Sequence, residues 1–461
     1  MNAPKPKLTQ GPVGKHLVDM TVPVLFGIAT MMGQGLIDTW FIGRVGDAEL
    51  AAFGFGFPIL MIVTSVAIGL GAGTSSVVAR AIGADDHRRA RRLATDSLLL
   101  SFLVTAVISA IGILTIDPLF RLLGAPDELM PLIRGFMTIL YMGVPFIVVG
   151  MVGMASMRAT GDTRLPSLLM ILAAVLNVIL DPILIFGVGP VPAMGLNGAA
   201  MAALLARASI FVGTLYLMRH RLDMVSFNKP DPVELRQSWR DILHVGIPAA
   251  GTNIIVPVGA AVVTAMIARF GPDAVAGFGV ASRIESMMLV MYYALSAIIG
   301  PFVGQNFSAG KEERILRALW LCTAFSIGSG FVIAGLLASL SGWLPGLFSD
   351  SESVQRVTSM FLWIVPVSYG TYGMVMVMNA SFNGLGYPMP GVVISVCRIA
   401  VLYIPIALVA MQFYDIAGIF AAYAIANIVS GLGAYAWTRS VVRRRCAEDA
   451  ILRQAAAELQ Q

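Results

Sequence analysis

Two stretches carry carboxylates where the surrounding sequence is apolar. In GLIDTWFIG, residues 35–43, Asp38 is the lone charge of its run, and in LNVILDPILIFG, residues 176–187, Asp181 stands immediately before a proline. Asn177 and Asp181 are four apart, so in a helix they share a face. Pro182 supplies no backbone donor and frees the carbonyl near residue 178. A carboxylate, an amide oxygen and a loosened carbonyl on one face are ligands for a cation. If Asp38 meets them, two buried carboxylates side by side exchange one proton as a pair, or trade it for a sodium ion. Keeping such a group at the centre of a membrane-spanning helix costs about 2.5 to 3.5 kcal/mol on insertion scales, which makes a function the default reading. Two local roles stay open beside it: Asp38 capping a kink at GQG, and Asp181 supporting the break at Pro182.

The other charges within apolar runs are Arg207, Arg283, Glu285 and Arg398. Glu285 is the acid of the second half, with a place in a cleft or in a structural pair equally open; Arg283 is two residues away and does not share its helix face. The arginines pair with other helices or snorkel, and no role is assigned to them. Methionines cluster at MVGMASM (151–157), MMLVMYYAL (287–295) and MVMVMN (374–379). Flexible thioethers such as Met287, with the aromatic faces of Phe53, Phe55, Tyr292 and Tyr293, suit a cavity that accepts apolar organic cations. Ordinary helix packing explains the same residues, so Phe53, Tyr292 and Met287 are candidate cavity residues only. Cys322, Cys397 and Cys446 are scattered, as are His16, His87, His220 and His244, so neither a disulfide framework nor a metal site is expected. GADDHRRARR (83–92) lacks the Walker spacing, which argues against ATP.

The elements that must position these side chains are membrane helices. Of the 461 residues 57% are hydrophobic and 12% charged, too apolar for a soluble globule of this size. Apolar blocks of about 20 to 30 residues recur along the chain, each able to cross a hydrocarbon core of about 30 Å as a helix. The short alternating strands of a β-barrel are absent. About twelve spans are predicted, at 17–42, 50–80, 95–117, 130–156, 165–187, 194–218, 242–268, 274–305, 314–340, 358–383, 391–412 and 415–438. The first block is too long for a signal-peptide core, so it is expected to stay. Basic residues gather at both ends and in alternate loops, which predicts cytoplasmic termini and gives the net charge of +5 a topological origin without a nucleic-acid partner.

The two halves repeat. RVGDAELAAFGFG (44–56) aligns with RFGPDAVAGFGVA (269–281), and the same offset of 225 carries Pro23 onto Pro248, Arg89 onto Arg314 and Arg92 onto Arg317. The expected architecture is therefore all-α: a first lobe (1–218), a cytoplasmic linker (219–241), a second lobe (242–438) and a cytoplasmic tail (439–461). Two six-helix lobes related by a pseudo-two-fold axis along the membrane normal leave a cleft, the ground plan of a secondary transporter. At the common offset Asp38 falls on Val263 and Asp181 on Ile406, so the ion chemistry belongs to the first lobe alone.

VPVLFG, GLIDTWFIGRVGDAELAAFGF, GLGAGTSSVVARAIGADD, RATGDTRLP, LNVILDPILIFG, GFGVASRIES and IIGPFVGQNFSAGKEERI together resemble the multidrug and toxic compound extrusion (MATE) transporters. The resemblance spans all twelve predicted helices. It implies an efflux antiporter that exchanges cationic or amphipathic drug-like compounds for H+ or Na+, with Asp38, Asn177 and Asp181 matching the family's first-lobe cation site. Members that bind Na+ there often add a hydroxyl from the sixth helix. Here GLNGAAMAALLA (195–206) offers only alanines and a methionine at 199–203, which favours H+. Some members carry further acids on helices seven and ten, where this chain has none. The resemblance implies a monomer in the bacterial inner membrane, with small organic cations as partners and no cofactor beyond the coupling ion. The rivals are a lipid-linked-precursor flippase of the related superfamily, for which a more cationic cleft and extra helices are expected, an intramembrane enzyme, for which no nucleophile or metal set is visible, and a passive channel, which the duplicated lobes disfavour.

Overall fold

The structure is a computed structural model that describes residues 7–226 and 231–458. Those residues are almost entirely helical and include no strand, as a bilayer requires of a chain that must satisfy every backbone group internally. The first half comprises α1 (Val13–Gly43), α2 (Asp47–Gly83), α3 (His87–Leu114), the short α4 (Ile116–Leu122), α5 (Met130–Ala159), α6 (Arg164–Phe186) and α7 (Gly195–His220). The second comprises α8 (Pro232–Ile267), α9 (Pro272–Met288), α10 (Val290–Ser308), α11 (Glu312–Leu340), α12 (Glu352–Ile364), α13 (Tyr369–Gly384), α14 (Met389–Val396) and α15 (Ile404–Glu458). Cys397–Tyr403 winds as a π-helical turn between α14 and α15.

Ten helical stretches are long and apolar enough to cross a membrane; α9 and α10, bent by 45° at their junction, make an eleventh span. The last stretch, Met389–Ile451, is 63 residues long and breaks at Asp415, whose φ of 50° lies in the left-handed region. Asp tolerates that conformation better than most residues. The break turns one run into two spans and completes the expected twelve.

The helices pack into two compact units, one formed by Val22–Ala250 and the other by Leu8–Thr21 with the chain from Gly251 onward. The boundaries therefore fall inside α1 and α8. In the first unit the early turns of α8 lie on α2 at backbone contact: a Cβ on Gly73 would sit 2.3 Å from the Ile242 carbonyl oxygen, and one on Gly69 would sit 2.5 Å from the Ala250 Cβ. Arg89 adds bonds to Ser238 Oγ (3.2 Å) and Asp241 Oδ2 (3.3 Å). In the second unit its repeat partner Arg314 holds the segment before α1, donating to the carbonyls of Leu8 (2.8 Å), Gln10 (3.2 Å) and Gly11 (2.6 Å). The repeat thus extends to a matched pair of arginine anchors.

Candidate functional site

The first unit assembles its polar site from two helical i, i+4 pairs. Gln34 and Asp38 lie one turn apart on α1, and Asn177 and Asp181 one turn apart on α6. Asn177 and Asp181 are 0% and 1% exposed, whereas Asp38 and Gln34 are half-buried. The Gln34 side-chain amide lies 3.3 Å from Asp38 Oδ2 and 2.6 Å from the Asn177 amide. The surrounding groups orient the Asn177 amide so that its nitrogen donates to Asp38 Oδ1 (2.9 Å) and its oxygen accepts from the Ala203 N–H of α7 (3.1 Å). Asp181 lies against the Asp38 carboxyl group. Among the described residues no N–H or O–H donates to either Asp181 oxygen. The two carboxyl groups are therefore each other's natural partner, and one proton between them converts a repulsive contact into a hydrogen bond.

The local sequence explains why these elements meet. Pro182 inside α6 leaves the 178 carbonyl without its helical donor. Gly198 lets α7 approach α6 at backbone distance, since a Cβ there would sit 2.3 Å from the Leu184 carbonyl oxygen. That approach places Ala203 beside Asn177 and, one turn on, Arg207 within electrostatic reach of Asp38. The structure thus gathers Asp38, Asn177 and Asp181 in one place. It adds Gln34, which the sequence reading missed although its i, i+4 spacing from Asp38 was visible, and Arg207, to which that reading gave no role. No side-chain hydroxyl comes from 199–203.

The remaining candidates lie elsewhere. Phe53 on α2 packs edge to face on Phe136 of α5, ring centroids 5.7 Å apart. Tyr292 is fully buried on α10, its hydroxyl bonded to the Ser326 carbonyl (3.3 Å) and sharing a hydrogen bond with Ser329 Oγ (3.1 Å), and its ring close on Gly373. Met287 is 45% exposed on α9. Glu285, on α9, is half-buried and accepts from the Tyr423 hydroxyl of α15 at 3.2 Å. Arg283 points away at the surface, whereas Arg398 is buried and donates to Asn427 Oδ1 (3.0 Å).

The chain as a whole is similar to known proteins. A family model described as MatE matches residues 23–183 and again 248–409, two segments that begin at the offset of the internal repeat. An FAD transporter of Shewanella oneidensis is 38% identical over 93% of this chain and 95% of its own length. The multidrug export protein MepA of Staphylococcus aureus is 22% identical over 92% of this chain and 93% of its own. The crystal structure of the Vibrio cholerae MATE transporter VcmN in its bent form superposes with a TM-score of 0.90 at 30% identity, covering 94% of this chain and 98% of the other.

Proposed function

The chain belongs to the MATE family of membrane transporters and is a multi-pass transporter rather than an enzyme; on that footing we propose that it exports small organic compounds in exchange for protons taken up by the Asp38–Asp181 pair. The observation that carries this reading is the convergence of Asp38, Asn177 and Asp181 in one unit, with both Asp181 oxygens lacking an N–H or O–H donor. Ionised together, the carboxylates repel and push α1 from α6; with one proton between them they bind and draw the helices together. Proton entry from outside thereby changes the packing of the first unit, and each charge crossing with the potential releases about 2.3 kcal/mol per 100 mV. The lack of a hydroxyl at 199–203 leaves a sodium ion one oxygen short and supports H+ as the coupling ion. The multidrug export relatives support drug-like cations as substrates, and the FAD transporter relative supports flavin nucleotides beside them. We place the protein, as a monomer, in the bacterial inner membrane with both termini cytoplasmic, as the loop charges predict.

Flux into proteoliposomes under an imposed pH or sodium gradient tests the coupling. A pH gradient is expected to drive ethidium and FAD against their concentration, a sodium gradient is not, and Asp38→Asn is expected to abolish the pH-driven flux. Flux that follows sodium alone, or that survives Asp38→Asn, overturns the assignment.

A further inference from the structure

The second unit holds a buried cation that has no carboxylate in contact among the described residues. Arg398 is 4% exposed and sits on the π-helical turn Cys397–Tyr403. Its Nη1 donates to Asn427 Oδ1 (3.0 Å), and Asn427 Nδ2 donates in turn to Ser368 Oγ (3.1 Å), so Asn427 is used at both ends and is itself neutral. The guanidinium carbon stands 4.6 Å from the centroid of the Tyr372 ring. Arg398 Nε is buried with no acceptor among the described residues. The acid within electrostatic reach is Glu285, and its carboxylate is turned to the Tyr423 hydroxyl (3.2 Å).

An arginine is a costly way to fill such a place. Several kcal/mol are lost when a guanidinium leaves water, and contact with an anion is what restores them. Asn427 and the Tyr372 face recover part of that loss but supply no negative charge. The free Nε edge belongs to a planar fork whose geometry matches the paired oxygens of a phosphate. Flat faces are gathered near it: Tyr372 lies against the guanidinium, and Tyr403, on the same π-helical turn as Arg398, pairs with Tyr423 at a ring-centroid distance of 5.1 Å. Glu285 adds an acceptor at the edge of this wall. π-Helical turns frequently mark functional sites, because the wider turn re-aims side chains.

We propose that the second unit contains a substrate site in which Arg398 binds the phosphate of a planar aromatic anion, with Tyr372, Tyr403 and Tyr423 packing its rings. This deepens the flavin-nucleotide part of the transport reading and rests on it. Equilibrium binding to the full-length protein in lipid nanodiscs tests it, with FAD and riboflavin as fluorescent probes. Arg398→Met is expected to weaken FAD binding at least about tenfold, the loss of one charge-assisted hydrogen bond. Arg398→Lys, which keeps the charge without the fork, is expected to fall between. Riboflavin shares the ring system but lacks phosphate, and its affinity is expected to stay unchanged. Inorganic pyrophosphate is expected to compete with FAD on the unaltered protein, a measurement that decides the matter even if Arg398→Met does not fold. Equal FAD affinity in the unaltered protein and Arg398→Met, an equal loss for riboflavin, or FAD binding indifferent to pyrophosphate overturns the assignment. Absence of FAD binding to the unaltered protein would be the failure of the flavin-nucleotide reading and would overturn this assignment with it, whereas FAD binding that ignores Arg398→Met would overturn the assignment alone, so the two failures are distinguishable.

Discussion

Replacing Asp181 by Asn should make the protein more stable and stop it working. Among the described residues no N–H or O–H donates to either buried Asp181 oxygen, and their neighbour is the carboxyl of Asp38. Two carboxylates ionised about 4 Å apart repel by about 4 kcal/mol at an effective dielectric constant near 20. An amide at 181 removes that repulsion and offers Asp38 a charge-assisted hydrogen bond, typically about 1.5 to 3 kcal/mol. The shared proton already relieves part of the repulsion in the unaltered pair, so the net gain is about 1 to 3 kcal/mol, greater at alkaline than at acid pH. Asp38→Asn behaves differently, because Asp38 already accepts from the Asn177 amide. An amide there removes the same repulsion but loses the charge on the bond from Asn177, so a smaller gain is expected. Thermal unfolding of the detergent-solubilised variants across pH reads the stability, and gradient-driven flux reads the function. The reasoning fails if Asp181→Asn melts at or below the unaltered protein at alkaline pH, if Asp38→Asn stabilises as much, or if Asp181→Asn still moves substrate under a pH gradient.

The other predictions concern the scaffold and the topology. Gly198→Ala drives a methyl into the Leu184 carbonyl and the Ile185 nitrogen, backbone atoms that cannot step aside; a loss of about 1 to 3 kcal/mol is expected, read as a lower melting temperature. A Gly198→Ala variant as stable as the parent would show that the α6–α7 contact is looser than described. With cytoplasmic termini, a membrane-impermeant maleimide should label Cys446 in inverted vesicles and not in intact cells, in a Cys397→Ala background with Cys322 buried. Labelling from outside intact cells would reverse the proposed orientation.

Much of the fold was legible because a bilayer leaves few choices. Apolar runs of the right length had to be helices, and the break at Asp415 falls where two predicted spans meet. The 45° bend between α9 and α10 was not legible, since MMLVMYY contains no proline or glycine. Its cause is tertiary: α10 is pinned just past the bend by Tyr292, which reaches Ser326 and Ser329 and lies on Gly373. GLGAG (69–73) is a close-packing surface, but nothing local names its partner. Gly69 meets Gly246 and Ala250, and Gly73 meets Gly246, more than 170 residues further along the chain, so tertiary packing and not local pattern sets the contact.

The two polar sites differ in legibility for a physical reason. On α1 and α6 the chemistry lies along single helices at four-residue spacing, so Asn177 and Asp181 declare themselves, and Gln34 beside Asp38 was readable by the same rule. Around Arg398 the members come from three other places in the chain, Glu285, Ser368 with Tyr372, and Tyr423 with Asn427, all outside its own turn. A sequence shows the charge of Arg398 and Glu285 but not that they fail to touch, and that separation is what turns a structural ion pair into a candidate site. Tyrosines in a membrane span resemble packing residues until a guanidinium is found on one of their faces. A lone charge in an apolar run is therefore better judged by what it lacks in the fold than by its neighbours in sequence: among the described residues Asp181 lacks a donor and points to a proton, while Arg398 Nε lacks an acceptor and points to an anion.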